Sequence, residues 1–139
     1  MATNESGFKQ EFKKSATNID GLFMWAQNDR YKCGLPDIAA VYKGKHISIE
    51  AKFVTRMPQK DTSKVLQHEL SDLQHVFLQH IEASGGVGVL LIGFGDVAVA
   101  FRGKDLKSNY TAEEVRQAPR IYKDGGKWDI HKFLEVLGL

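Results

Sequence analysis

Residues 34–52 read GLPDIAAVYKGKHISIEAK and give the clearest indication of the chain's architecture. Two apolar, β-branched runs flank the dipeptide Lys43-Gly44, which is the arrangement expected of a β-hairpin with a two-residue turn. If those two residues form the turn, the register places Asp37 directly across from Glu50. The sequence therefore predicts two facing carboxylates near the open end of a hairpin.

A lysine joins the two carboxylates. Because side chains alternate along a strand, Lys52 points to the same face as Glu50, although a slip of one residue would turn Asp37 away. Clustered carboxylates repel one another and lose hydration, and a divalent cation relieves both costs. Carboxylate oxygens suit Mg²⁺ or Mn²⁺, the Ala51 carbonyl is a further candidate ligand, and a lysine can activate water. The cluster suits phosphodiester hydrolysis. The alternative from the residues alone is a turn cap with solvent-facing strand charges.

The rest of the chain predicts an α/β sandwich with a mixed sheet. Apolar periodicities and capping residues give each element. In chain order these are a helix over 7–19 capped by Ser6, a strand over 22–27, the hairpin, a helix over 64–83 with Leu66, Leu70, Leu73, Phe77 and Ile81 inward, strands over 87–94 and 97–101, a short helix from a Thr111–Glu114 capping box, and a last helix capped by Asp129. The 139 residues suit one domain, 1–139.

The charge distribution suggests a polyanionic partner more than the total does. The net charge is only +2, but between positions 43 and 64 there are six basic and two acidic side chains. Such a strip can attract a phosphate backbone, and its alternative is a solvated lysine-rich loop. The basic residues that we expect to contact DNA are Lys43, Lys45, Arg56, Lys60 and Lys64.

The cysteine count and hydropathy indicate the compartment. Cys33 is the only cysteine, which excludes an internal disulfide framework and suits a reducing environment. The sequence has no apolar run of membrane-spanning length and no signal-peptide pattern at its start. We expect a cytoplasmic protein without a membrane partner, and the sequence leaves open whether its source is a cell or a phage.

The hairpin residues resemble a known signature. Pro36-Asp37, followed thirteen residues after the aspartate by Glu50-Ala51-Lys52, resembles the PD-(D/E)XK motif of the restriction-endonuclease-like nucleases. The predicted element order over about residues 7–101 is similar to the αβββαβ core of that superfamily, here with a mixed central sheet and short C-terminal helices. Within it, Leu70-Ser71-x-x-Gln74 followed by a Gly-Gly pair is similar to Holliday junction resolvases of the RecU and archaeal types.

The resemblance implies a role for each matching residue. It implies that Asp37 and Glu50 bind Mg²⁺ with the Ala51 carbonyl, with Mn²⁺ as a substitute, and that Lys52 serves the attacking water. Glu11 matches a helix carboxylate that completes the site in resolvase-like members; its alternative is an ordinary exposed helix glutamate.

Gln74 matches a position near the active site of the resolvases. The alternative for its side chain is a solvated or capping amide. The sequence does not decide between a catalytic and a capping role.

The resemblance also implies a substrate class. It suggests a structure-specific DNA endonuclease acting on branched DNA, a Holliday junction resolvase that works as a homodimer in DNA recombination or repair. RecU carries a long insertion before its catalytic Asp, whereas only 25 residues separate Glu11 from Asp37 here. Cleavage of flaps or linear duplexes, or DNA binding without catalysis, therefore remain the alternatives.

Overall fold

The computed structural model describes residues 4–27 and 34–139. These ranges contain four helices and a seven-stranded mixed sheet. The elements are α1 (Glu5–Ser15), β1 (Leu22–Ala26), β2 (Ile38–Tyr42), β3 (Lys45–Phe53), α2 (Asp72–Ala83), β4 (Val87–Phe94), β5 (Val97–Arg102), α3 (Ala112–Gln117), β6 (Ile121–Asp124), β7 (Lys127–Trp128) and α4 (Ile130–Val136). The strands lie in chain order, and neighbours are antiparallel except for the parallel pair β3 and β4. The α/β class with a mixed sheet is confirmed.

Each face of the sheet is covered by its own apolar core. Helices α1 and α4 pack on one face, where Phe8, Phe12 and Phe133 are fully buried. Helices α2 and α3 cover the other face through residues such as Leu78 and Val115. Strand β4 contributes to both cores because its side chains alternate between the faces, as expected for a strand covered on both sides.

The hairpin adopts the register expected from its turn. Ile38 pairs with Ile49 and Tyr42 pairs with Lys45, and Lys43 has a positive φ of 49° in the turn. The β3–β4 pairing continues to Phe53, beyond the last β2–β3 pair. The final residues of β3 therefore extend past the hairpin at one end of the sheet.

Helix α1 differs from its prediction at both ends. It begins at Glu5 rather than at residue 7 and ends at Ser15 rather than at residue 19. The cap is Asn4, whose side chain accepts a hydrogen bond from the Gly7 N–H, so the assignment of Ser6 as the N-cap is wrong. The last predicted turn is absent because Ala16 is the C-cap of the helix.

Helix α2 is much shorter than predicted. It begins at Asp72, so residues 64–71 are not helical. Leu66 and Leu70 are buried, but they lie in an irregular segment that Asn109 holds through hydrogen bonds with both backbone groups of Leu66, at 3.1 and 2.9 Å. Leu73, predicted to face the core, is 59% exposed, and Leu78 is the helix residue that is fully buried.

The C-terminal part of the chain contains two confirmed helices and a missed hairpin. The Thr111–Glu114 capping box and the Asp129 cap are both present. Between the helices, β6 and β7 extend the sheet beyond β5, and neither strand was predicted.

Two sequence features were used to predict the compartment, the lone cysteine and the lack of long apolar runs. Cys33 lies outside the described residues. Among the helices in the described ranges, none has the length and apolar character needed to cross a membrane.

Candidate active site

The hairpin places the carboxyl groups of Asp37 and Glu50 side by side. Asp37 immediately precedes β2, and continuing the observed register places it opposite Glu50. Glu50 is only 2% exposed. Oδ2 of Asp37 and Oε1 of Glu50 are buried, and neither has an aligned hydrogen-bond donor in the part of the chain that the structure describes. Two ionised carboxylates cannot donate to each other, so this pair needs a proton or a cation between them.

Burial changes the acidity of the pair. The pKa of Glu50 is raised from 4.5 to about 9, chiefly by loss of hydration and then by the hydrogen bond and negative charge of Asp37. The positive charges of Lys52 and Lys9 oppose this rise in pKa. Since the two carboxyls are coupled, the raised pKa describes a proton held by the pair.

Lys52 reaches the patch as expected from strand alternation. Ile49 and Ala51 face the core under α1, so Glu50 and Lys52 face the opposite side of the sheet. Lys52 is half-buried, and its charge acts on the Glu50 carboxyl. The structure thus brings Asp37, Glu50 and Lys52 together.

Lys9 on α1 is a member of the cluster that the sequence reasoning missed. Its Nζ lies 3.0 Å from Oδ2 of Asp37 and 3.2 Å from Oε2 of Glu5. The Lys9 ammonium is therefore ion-paired with the Asp37 carboxylate. The sequence signal was the i, i+4 pairing of Glu5 and Lys9 on a helix face away from the apolar stripe.

Strand β1 holds the Asp37 segment in place. The Gln27 N–H donates to the Asp37 carbonyl at 2.8 Å, and the Gln27 amide donates to the Pro36 carbonyl at 3.1 Å. These bonds fix the backbone on both sides of the Pro36-Asp37 peptide.

Two clefts flank the cluster. One of about 320 Å³ lies on the Asp37 side, between α1 and the ends of β1 and β2, and includes Lys9 and Lys13. The other, of about 190 Å³, lies beside Lys52 and includes Glu5 and Arg56. An extended ligand could therefore approach the charged groups from either side.

Glu11 does not join the cluster. Its Oε1 lies 3.1 Å from Nζ of Lys123 on β6, and it lines a separate cavity with the Gly125-Gly126 turn. Glu11 is two residues beyond Lys9, a rotation of about 200° around the helix. Glu5 is the α1 carboxylate on the side of the site, so the position expected for Glu11 is wrong.

Gln74 takes the capping role. Its Oε1 accepts a hydrogen bond from the Ser71 N–H at 2.9 Å, and its own N–H donates to the Ser71 hydroxyl at 3.2 Å. The side chain is therefore occupied at the start of α2, and the described contacts do not link it to Asp37 or Glu50.

The basic strip divides into two regions. Lys43 and Lys45 lie at the hairpin turn, and seven residues of strand put Lys45 about 23 Å from Lys52. Arg56 lines the cleft beside Lys52. Lys60 and Lys64 are exposed in the irregular segment after β3, where Lys64 forms a β-bridge with Thr111.

The donor set fits a small, hard divalent cation. Within residues 4–27 and 34–139, no group of three or more His, Cys, Asp or Glu side chains converges on one point. Two carboxylates remain, with the Ala51 carbonyl adjacent to Glu50 in the chain. Mg²⁺ usually takes one or two protein carboxylates and completes its coordination with water and phosphate oxygens. Oε1 of Glu50, which has no donor in the described residues, and Oδ2 of Asp37, which is ion-paired with Lys9, are suitable ligands.

The comparisons with known proteins identify no family. No protein-family model matches the chain, and no curated protein matches it either. The geometry of the site is therefore the basis for proposing a function.

Proposed function

We propose that this protein is a Mg²⁺-dependent endonuclease of the PD-(D/E)XK type that hydrolyses DNA phosphodiesters. The observation that carries the proposal is the buried Glu50 oxygen without a hydrogen-bond donor beside a second carboxylate, Asp37. A structural carboxylate pair would be expected to have donors that compensate its burial. The absence of a donor to Oε1 of Glu50 among the described residues favours a site where a cation can replace the proton that the pair otherwise holds.

Each residue of the cluster has a separate task in this proposal. Asp37, Glu50 and the Ala51 carbonyl would hold the cation, with Mn²⁺ as an acceptable substitute for Mg²⁺. A bound cation would supply positive charge beside the phosphate and would lower the pKa of water. Lys52 orients the attacking water and offsets negative charge in the transition state. The water oxygen bonds to phosphorus as the bond to the 3′ oxygen breaks, which leaves a 5′-phosphate and a 3′-hydroxyl.

Branched DNA is the proposed substrate, and a homodimer is the proposed active form. Arg56 beside Lys52, with Lys60 and Lys64 farther along, supplies positive charge for backbone contacts that carry no sequence information. Comparing four-way junctions, flaps and linear duplexes on gels separates resolvase activity from the other nuclease activities. Sedimentation gives the oligomeric state.

The cleavage experiment uses purified variants with a matched control. We expect Lys52→Ala and Glu50→Gln to lose Mg²⁺-dependent cleavage by at least about a hundredfold, since each removes a group required in the transition state. Lys132→Ala changes a lysine of α4, which packs on the opposite face of the sheet, and should keep near wild-type activity. Circular dichroism checks that all three variants are folded. Full activity of folded Lys52→Ala would contradict the proposal.

A DNA-binding module without catalysis is the second candidate. The ion pair between Lys9 and Asp37 favours it, because a lysine already offsets part of the negative charge of the carboxylate pair. Calorimetry distinguishes the candidates. Binding of Mn²⁺ that is lost in Glu50→Gln supports the nuclease, whereas DNA binding without any Mg²⁺ or Mn²⁺ binding supports the module.

A further inference from the structure

An aromatic pair lies on strand β1, at the edge of the sheet described, with Phe23 exposed and Trp25 partly buried. Phe23 is 68% exposed, and its ring lies 5.1 Å from the ring of Trp25, measured between centroids. Leu22 and Met24 pack against the core under α1. Because strand side chains alternate, Phe23 and Trp25 point to the opposite face. An aromatic side chain as exposed as Phe23 contributes little to the apolar core and calls for another explanation.

The aromatic pair shares a sheet face with the proposed active site. Trp25 pairs with Ala39 on β2, and the backbone of Gln27, two residues farther along, bonds to Asp37. Glu50 and Lys52 also face this side of the sheet. Ordinary strand spacings put the Cα atoms of Trp25 and Asp37 about 8 Å apart. A chain crossing the aromatic rings could therefore continue directly to the carboxylates.

Positive charge lines the groove along the same sheet edge. A cavity of about 470 Å³ between the end of α1 and β1 is lined by Lys13, Lys14, Phe23 and Trp25, with no acidic residue among its described walls. Lys13 and Ala26 also line the cleft that contains Asp37. The groove and the active-site cleft thus adjoin at these two residues, and their lysines suit a phosphate backbone.

We propose that this groove binds an unpaired strand of the DNA substrate, with bases stacked on Phe23 and Trp25 and phosphates beside Lys13 and Lys14. Aromatic platforms combined with basic grooves are the usual means of binding single strands without sequence preference. Bases within a duplex are already stacked and cannot cover the rings. The inference rests on the proposed nuclease function and narrows its substrate to DNA with unpaired nucleotides next to the cleavage site.

The test measures binding of two labelled probes in EDTA, where no cleavage occurs. The probes are a 12-nucleotide oligothymidine and a blunt duplex of similar length, followed by fluorescence anisotropy. Phe23→Ala should weaken oligothymidine binding about tenfold, the effect of losing one base–aromatic stack, and leave duplex binding nearly unchanged. Tyr122→Ala is the matched control, because Tyr122 is another exposed aromatic residue, 55% exposed, on β6. Lys14→Ala should weaken the binding of both probes and lower the salt dependence of that binding.

The outcomes separate this inference from its alternatives. Equal oligothymidine affinity for Phe23→Ala and Tyr122→Ala would overturn the proposed single-strand site. An equal loss of affinity of Phe23→Ala for both probes, or no binding of either probe by the wild type, would also overturn it. Sedimentation showing that Phe23→Ala dissociates a dimer, with oligothymidine affinity unchanged, would assign the strand edge to a second copy of the chain. If the protein cleaves branched DNA but its binding of oligothymidine does not depend on Phe23, the single-strand site is rejected and the nuclease proposal stands. Phe23-dependent binding without any cleavage rejects the nuclease proposal alone.

Discussion

Glu50→Gln should change how the stability of the protein depends on pH. Burial beside Asp37 raises the pKa of Glu50 from its ordinary value of 4.5 to about 9 in the folded protein. The folded state therefore holds a proton that the unfolded state releases above about pH 4.5. This contribution to stability is fully present below pH 4.5 and is lost as the pH rises towards 9. Glutamine keeps the shape of the side chain and cannot ionise.

The size of the effect follows from the pKa difference. About 2.5 pH units separate the ordinary pKa of Glu50 from pH 7, and each unit corresponds to about 1.4 kcal/mol. The Glu50 contribution to the free energy of unfolding should thus fall by about 3 kcal/mol between low pH and pH 7. Glu50→Gln removes this loss, so its stability relative to the wild type should increase by about 1.4 kcal/mol per pH unit from pH 5 to 8.

Urea unfolding in EDTA from pH 5 to pH 8 measures the difference. Glu135→Gln serves as a control, since its carboxylate is 72% exposed, and it should follow the wild type at every pH. Adding Mg²⁺ should stabilise the wild type most at high pH, where the cation replaces the proton, and should have little effect on Glu50→Gln. If the free energy of unfolding differed by a constant amount between Glu50→Gln and the wild type across this pH range, Glu50 would not be a buried carboxyl with a raised pKa.

Two further predictions concern the packing that positions the site. Gly88→Ala should lower the free energy of unfolding by about 1–3 kcal/mol, because a Cβ there would lie 2.2 Å from the Leu78 carbonyl oxygen and force α2 away from β4; urea unfolding at wild-type stability would contradict this. Glu82→Ala should cost about 2 kcal/mol, because the Glu82 carboxylate accepts two 2.8 Å bonds from Arg102 and one from the Gly88 N–H. Urea unfolding measures this loss, and a loss no larger than that of Glu135→Ala, which removes an exposed carboxylate, would exclude a structural role for the Glu82–Arg102 ion pair.

The hairpin and its charged patch could be predicted because their determinants are local. A two-residue turn fixes the register, and the two-residue period of a strand then fixes which side chains share a face. The approach of Asp37, Glu50 and Lys52 follows from those rules alone. Lys9 could not be found in the same way, because its contact with Asp37 depends on how α1 packs across the sheet.

Helix α2 shows how a periodic apolar pattern can mislead. Leu66 and Leu70 match the helical period, but they are buried by contacts with a distant segment around Asn109. The capping box of Ser71 and Gln74 marks the true start and was visible in the sequence. The helix predicted over 64–83 did not take this capping box into account.

The short strands β6 and β7 were missed for a different reason. Together they contain six residues, too few to establish a two-residue period. The Gly125-Gly126 turn between them was the remaining signal. Glu11 was misplaced by the same omission, since its partner Lys123 lies on β6.

Anomalous diffraction from crystals soaked in Mn²⁺ locates a cation held by the carboxylate pair. We expect a strong peak between the carboxylates of Asp37 and Glu50, near the Ala51 carbonyl, with the Lys9 ammonium displaced from Asp37. Crystals of Glu50→Gln should lack the peak. A wild-type map with no peak at the carboxylate pair in millimolar Mn²⁺ would contradict the proposed metal site and the hydrolytic function built on it.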